Sequence, residues 1–403
     1  MTKLSTPITL LFDLDGTLLD TNLDAFIPAY FQKLAAHLSA RIPPETLVKY
    51  LMIGTRAMMA NDDPRFTLSE VFDKNFYPFL GVTREDVQDE IESFYDNVFP
   101  SLHEIARPIP GVIEMIEWAF SAGHRVVIAT SPLFPRKAIF HRLRWAGLAP
   151  EKYPFVLVSS YEHFHFVKPS PAYFAEVLGR LGWPDGPVLM IGNDVDQDLV
   201  PAAMLGLPTF HALDTSSKDG FEATGHGRIA DLQAFLEATP SDSLLPAYTS
   251  QASLLAQLRS TPAVLAGLLA SFPSAAWTQH PAAGKWSITE ILCHMRDVER
   301  EVDQPRIDLI LSQNEPFIAG QNPDTWTEER GYNSQHGPDA LREFTSARLG
   351  TLERLATLSP AQWSRKTRHA IFGPTSLQEL VSFNAEHDRL HIQQTVANLA
   401  EIA

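Results

Sequence analysis

Asp13 and Asp15 stand two residues apart behind the apolar run Ile8–Phe12, and Gly16 follows them. Alternate side chains of a strand point the same way, so carboxylates with this spacing project together, and glycine lets the chain turn directly behind them. Further polar groups trail later apolar runs. Thr130 follows Val126–Ala129, Lys168 precedes Pro169, and Asp194 and Asp198 lie in Ile191-Gly192-Asn193-Asp194-Val195-Asp196-Gln197-Asp198. A phosphate dianion approaches a carboxylate only under cationic screening, and Mg²⁺ takes hard oxygen ligands, so this set suits Mg²⁺-assisted phosphate chemistry. A second set is nitrogenous. His387 and His391 are four apart on a helical segment and share a face. His294, in the apolar stretch Ile291–Met295, reads on its own as a core histidine with one hydrogen bond. Converging with the pair inside a bundle, it would complete a three-nitrogen face suited to Zn²⁺, Ni²⁺ or Fe²⁺.

The elements that must position these groups fall into two zones. Residues 1–239 alternate short apolar runs with helical segments. Strands are expected at Ile8–Asp13, Arg125–Thr130, Phe155–Ser159 and Val188–Gly192, and helices at Val112–Ser121, Arg136–Ala146, Pro171–Leu181 and Leu199–Leu205. The pattern predicts a Rossmann-like, doubly wound parallel sheet whose site lies past the carboxyl ends of its strands. The core would comprise 1–19 and 108–239, with 20–107 an inserted helical cap. Residues 240–246 (PSDSLLP) read as a linker. Residues 247–403 are predicted to be an all-α four-helix bundle of Gln251–Ser271, Thr289–Ser312, Pro338–Leu358 and Ser376–Ala400, with a kink or break at Pro305.

The first zone resembles the haloacid dehalogenase superfamily: the Asp13-Leu14-Asp15-Gly16-Thr17 run, Thr130, Lys168-Pro169 and the acidic cluster after Ile191-Gly192 come in that family's order. The resemblance implies Asp13 as nucleophile and Asp15 as general acid and base. Thr130 and Lys168 would hold the phosphoryl group, and Asp13, the Asp15 carbonyl, Asp194 and Asp198 would hold Mg²⁺. The family's dehalogenating members lack an acid at the Asp15 position, so phosphate esters are expected, with a phosphomutase as a variant. Asn193 departs from the family's Gly-Asp opening. Either Asp194 is the ligand, which we prefer, or Asn193 takes that place and Asp198 dominates.

The second zone resembles the DinB-like bundles, in their metal-binding and thiol-dependent branch, through Trp286-Ser287, Phe372-Gly373-Pro374-Thr375 and His387-Asp388-Arg389-Leu390-His391. The resemblance implies His294, His387 and His391 as a metal triad. Cys293, about 100° around the helix from His294, reads as a small packing residue.

The cap cations Arg56, Arg65 and Arg84, and His163 and His165 before Lys168, read as polar surface and receive no role. A formal charge of −16, from 32 basic and 48 acidic residues, argues against duplex nucleic acid as a partner. One cysteine excludes an intrachain disulfide and fits a reducing, cytoplasmic setting. No secretory leader is visible, and the Ala263–Phe272 run is short for a membrane span. The sequence thus predicts an Mg²⁺-dependent phosphatase of a small phosphorylated metabolite. Its bundle is an auxiliary metal-binding module, a metal- and thiol-dependent transferase or isomerase using a low-molecular-weight thiol, or a non-catalytic binding or oligomerisation module.

Overall fold

A computed structural model describes residues 7–213 and 221–402. They form two compact units, one of residues up to 177 with 184–247 and one of residues 178–183 with 248–402.

In the first unit the chain enters as β1 (Thr9–Phe12), then forms an antiparallel ribbon of β2 (Leu19–Thr21) and β3 (Ala106–Pro108). Between the ribbon strands run the cap helices α1 (Leu23–His37), α2 (Pro44–Met59), α3 (Leu68–Leu80) and α4 (Arg84–Ser93), which bury a core of their own around Phe26, Tyr30, Phe94 and Phe99. The chain returns through α5 (Val112–Ser121), β4 (Arg125–Ile128), α6 (Arg136–Trp145), β5 (Leu157–Val158) and α7 (Pro171–Arg180). It continues with β6 (Val188–Gly192), α8 (Val200–Leu205), β7 (Thr209–His211), β8 (Gly225–His226) and α9 (Leu232–Ala238). The six sheet strands are parallel in the order β5-β4-β1-β6-β7-β8. β1, β4 and β6 are almost wholly buried, the continuous-run pattern of strands covered on both faces.

The α/β expectation holds for this unit. Four strands escaped the sequence reading: β7 and β8, of three and two residues, and the two ribbon strands. None is long enough to show the apolar periodicity on which recognition rests. Ser241–Leu244, read as part of a linker, forms a short 3-10 turn whose Leu244 is fully buried in the α/β core.

In the second unit α10 (Gln251–Leu269), α11 (Ile288–Val298), α14 (Gly337–Ala356) and α16 (Leu377–Ile402) pack together. The expected second helix is three pieces: α11, a π-helical turn over Glu299–Asp303, and α12 (Gln304–Ser312). Pro305 sits in the first turn of α12, where its missing N–H costs least, and the widened turn absorbs the break. The short helices α13 (Trp326–Glu329) and α15 (Pro360–Trp363) lie in the connections. The four-helix bundle expectation holds for this unit, and a small three-stranded sheet of β9 (Phe317–Ile318), β10 (Lys366–His369) and β11 (Gly373–Ser376) accompanies the helices. Capping boxes start α11, at Ser287 and Glu290, and α16, at Ser376 and Glu379. Among the described residues α10 alone has the length and apolarity of a membrane-crossing helix, and 67% of that stretch is buried within the protein.

Candidate functional site

The register of the sheet levels its central strands: Phe12 pairs with Ile128 of β4 and with Ile191 of β6. Asp13, Ala129 and Gly192 therefore emerge side by side at the carboxyl edge, where open α/β sheets build their sites. Asp13 keeps 7% of its surface exposed, and Thr130 and Lys168 are buried. The Lys168 Nζ donates to Asp13 Oδ1 at 2.7 Å and to Asp198 Oδ1 at 2.6 Å. Burial alone would lower the Lys168 pKa, but the charges of Asp13 and Asp198 outweigh it and hold the ammonium above the usual lysine range. Burial and the Asp13 charge push Asp198 up to about 7, with Lys168 opposing them.

Two glycines make room for this arrangement. Gly16 has φ +78°, and a Cβ there would lie 2.5 Å from the Asn193 amide nitrogen. At Gly192 a Cβ would collide with the Asp198 carboxylate. Thr130 is fixed through its carbonyl, which accepts hydrogen bonds from Ser159 Oγ at 2.6 Å and the Tyr173 hydroxyl at 2.8 Å.

Asp13, Lys168 and Asp198 thus come together, and Asn193 lies against the turn that carries Asp15, its Oδ1 accepting from Thr17 Oγ1 at 3.1 Å. Asp194 is exposed. Its Oδ1 caps the following π-helical turn, accepting from the N–H groups of Asp196 and Gln197 at 2.9 Å. Both Asp198 oxygens are engaged, Oδ1 by Lys168 and Oδ2 by the Asp194 N–H at 3.2 Å.

The sequence reading missed Arg142. Its guanidinium is 2% exposed, pairs with the Asp15 carboxylate, and lies 5.5 Å from the Phe26 ring and 5.3 Å from that of Phe134. Burial brings it down to about 10, with the Asp13 charge opposing. A signal existed: Arg142 occupies the helical stripe of Ala138, Ile139, Leu143 and Ala146, all fully buried. His165, expected at the surface, is buried, with its Nδ1 2.8 Å from Glu176 Oε1, which steadies the approach to Lys168. Within the cap, Arg65 pairs with Asp63 and Arg84 with Asp73.

In the second unit the three predicted imidazoles converge. His294 Nε2 is 3.0 Å and His391 Nε2 is 3.1 Å from His387 Nε2. Among the described residues this is the one group of three acidic, thiol or imidazole side chains whose ligand atoms all lie within 4.8 Å of one another. His391 Nδ1 is 3.0 Å from the side-chain Oε1 of Gln394, which can only accept, so Nδ1 carries the proton and Nε2 presents its lone pair. Three nitrogens aimed at one point fit a borderline metal ion. Burial lowers all three pKa values, His294 to about 3. Trp286 stacks on His391 at 5.9 Å with the rings 7° from parallel. A cleft lined by Lys285, Trp286, Asp324, Leu390 and Gln394 opens onto His387 and His391. Behind the triad, buried Arg348 bridges Glu299 and Asp388.

Residues 9–206 match the family model described as haloacid dehalogenase-like hydrolase, and residues 257–395 match that of the DinB superfamily. A phosphoglycolate phosphatase of Mesorhizobium japonicum is 28% identical over 206 residues, which span 51% of this chain and 82% of that protein. Among solved structures, a HAD phosphatase of Thermococcus onnurineus is 20% identical, covering 57% of this chain and 97% of its own with a TM-score of 0.37. YfiT of Bacillus subtilis, described as "a probable metal-dependent hydrolase with an unusual four-helix bundle topology", is 16% identical, covering 40% of this chain and 90% of its own with a TM-score of 0.35. The chain thus joins a haloacid dehalogenase-like hydrolase domain to a DinB superfamily domain.

Proposed function

We propose that the first domain is an Mg²⁺-dependent phosphatase acting on a small phosphate ester through an aspartyl-phosphate at Asp13. The observation that carries this reading is the buried Lys168 ammonium held between Asp13 and Asp198 at the carboxyl edge of the sheet. A carboxylate so screened can meet a phosphate dianion. One Asp13 oxygen attacks phosphorus while the ester P–O bond breaks, and Asp15 gives its proton to the departing oxygen. Asp15 then takes a proton from water, whose oxygen attacks phosphorus and releases inorganic phosphate and the Asp13 carboxylate. Lys168 and Thr130 hold the phosphoryl oxygens. Asp13, the Asp15 carbonyl and Asp194 offer the hard oxygen donors Mg²⁺ prefers, and bound there it would neutralise charge on the transferring group. Asp198, with both oxygens engaged, acts by fixing Lys168 and the 193–194 backbone. The relative named phosphoglycolate phosphatase supports a small ester as the substrate class.

For the bundle, we propose one divalent transition metal, Zn²⁺, Ni²⁺ or Fe²⁺, on His294, His387 and His391. The cleft beside His387 and His391 supports an open, catalytic site over a closed structural one, since structural zinc is normally sealed by four protein ligands. A low-molecular-weight thiol is a candidate co-substrate there.

The test of the first reading is phosphate release from p-nitrophenyl phosphate with Mg²⁺ and with excess chelator. Turnover that survives chelation, or none with Mg²⁺ on a panel of phosphate esters, rejects it.

A further inference from the structure

We propose that Arg142 is a specificity-determining residue that binds an anionic group on the leaving side of the substrate, so that the domain selects phosphate esters whose alcohol carries a carboxylate or a second phosphate. The inference rests on the phosphatase reading above.

Four observations support it. Arg142 is only 1% exposed, and deep burial of a guanidinium is costly unless it is paired and hydrogen-bonded. Its one carboxylate partner is Asp15, the residue that faces the departing oxygen in the proposed reaction. Its Nε is buried and has no hydrogen-bond partner among the described residues. An orphan donor in a folded interior is costly, and a planar fork of donors is built to meet a carboxylate or phosphate. Phe26, from the cap, and Phe134, from the loop behind Thr130, flank the guanidinium at the junction of cap and core. An anion arriving there would be held in a water-poor setting, where the interaction is strong. The cap cations Arg65 and Arg84 pair with Asp63 and Asp73 and are far more exposed to water, which weakens what either could add to binding.

A second feature points elsewhere and sharpens the test. An apolar cavity is lined by Tyr30, Phe31, Leu34 and Tyr95 of the cap together with Phe134. It would suit an alkyl or aryl leaving group.

The experiment compares kcat/KM for 2-phosphoglycolate, 2-hydroxyethyl phosphate and hexyl phosphate in the wild-type chain, Arg142→Met and Arg142→Lys. The first two esters differ in a carboxylate against a hydroxymethyl group, and their alcohols are of similar basicity. Any effect of Arg142 on proton transfer by Asp15 therefore falls on both equally, and their ratio isolates recognition. The wild type is expected to prefer the anionic ester by about 100-fold, the scale of a charge-assisted hydrogen bond. Arg142→Met should bring the ratio near one, chiefly through KM, and Arg142→Lys should keep about a tenth of the preference. Matching far-UV circular dichroism of the variants excludes unfolding. If Arg142→Met does not fold, the wild-type ratio and the lysine variant decide. A wild type active on all three esters without preference, or fastest on hexyl phosphate, overturns the proposal and leaves the phosphatase reading standing. A ratio unchanged in Arg142→Met does the same. A wild type that cleaves no phosphate ester overturns both.

Discussion

The carboxylate of Asp198 fills the space that a side chain at position 192 would need, and from there it holds the Lys168 ammonium at 2.6 Å. Glycine at the last position of β6 is therefore part of the charge arrangement and not a relaxed strand end. Gly192→Ala should displace Asp198 and loosen Lys168 from Asp13. We expect kcat/KM toward a phosphate ester to fall about 100-fold, the usual penalty for misplacing reacting groups by an ångström, with the fold retained by circular dichroism. Wild-type rates in that variant would separate Asp198 from catalysis.

Asp13→Asn removes the attacking oxygen's charge but not its shape. Phosphate release should drop by about 1,000-fold or more. Asp15→Asn should instead accumulate phosphorylated chain, visible as an 80 Da increment in intact-mass spectra of acid-quenched protein. Accumulation in Asp13→Asn and not in Asp15→Asn would reverse the two assignments.

For the bundle, His387→Ala should reduce bound Zn²⁺, measured by plasma mass spectrometry of the full chain after equilibration and gel filtration, from about one ion per chain to near zero. Gln394→Ala, which frees the Nδ1 proton of His391, should weaken affinity by about 10- to 100-fold without abolishing it. Phosphate hydrolysis should be unchanged in both, because neither residue belongs to the first domain. Full metal content in His387→Ala would remove that residue from the site.

The same imidazoles give the metal-free bundle an acid sensitivity. Their pKa values are lowered in the folded protein, His294 to about 3, chiefly by burial. The unfolded chain binds more protons than the folded one between about pH 6.5 and 3, so the stabilising contribution is complete above about pH 6.5 and is lost as pH falls below it. In chelated protein, amide protection in α11 and α16 measured by hydrogen exchange at pH 7.5 and pH 5.0 should fall with acid, after correction for intrinsic rates. His294→Leu should flatten that dependence. Equal protection at both pH values would contradict the burial of neutral imidazoles.

Much of this was legible in the sequence because position encodes it. Asp13 follows β1 and Asp198 lies in the segment leaving β6, and in a parallel sheet a residue past a central strand emerges at the carboxyl edge. The three histidines were legible because helical spacing fixes a face. Arg142 carried only the faint signal of its apolar stripe, since a charged residue in a helix reads as solvated by default and its partner Asp15 lies in the turn behind a distant strand. The choice among Asn193, Asp194 and Asp198 could not be made from spacing. It turns on which side chain the Asp194 cap and the Lys168 pair consume, and those are contacts made after folding. The π-helical turn at Glu299–Asp303 was equally silent, because one extra residue in a turn leaves no compositional mark.

Trp286 lies flat against His391 and tilts over His294 at 4.9 Å. An indole that close to three nitrogen donors is an optical antenna for whatever binds them. A closed-shell occupant such as Zn²⁺ leaves its excited state largely intact, whereas an open-shell Ni²⁺ or Fe²⁺ drains it by electron or energy transfer. The emission of this one ring, isolated by difference against Trp286→Phe, therefore sorts candidate ions by their electrons as well as by their presence, in the intact chain and without a label.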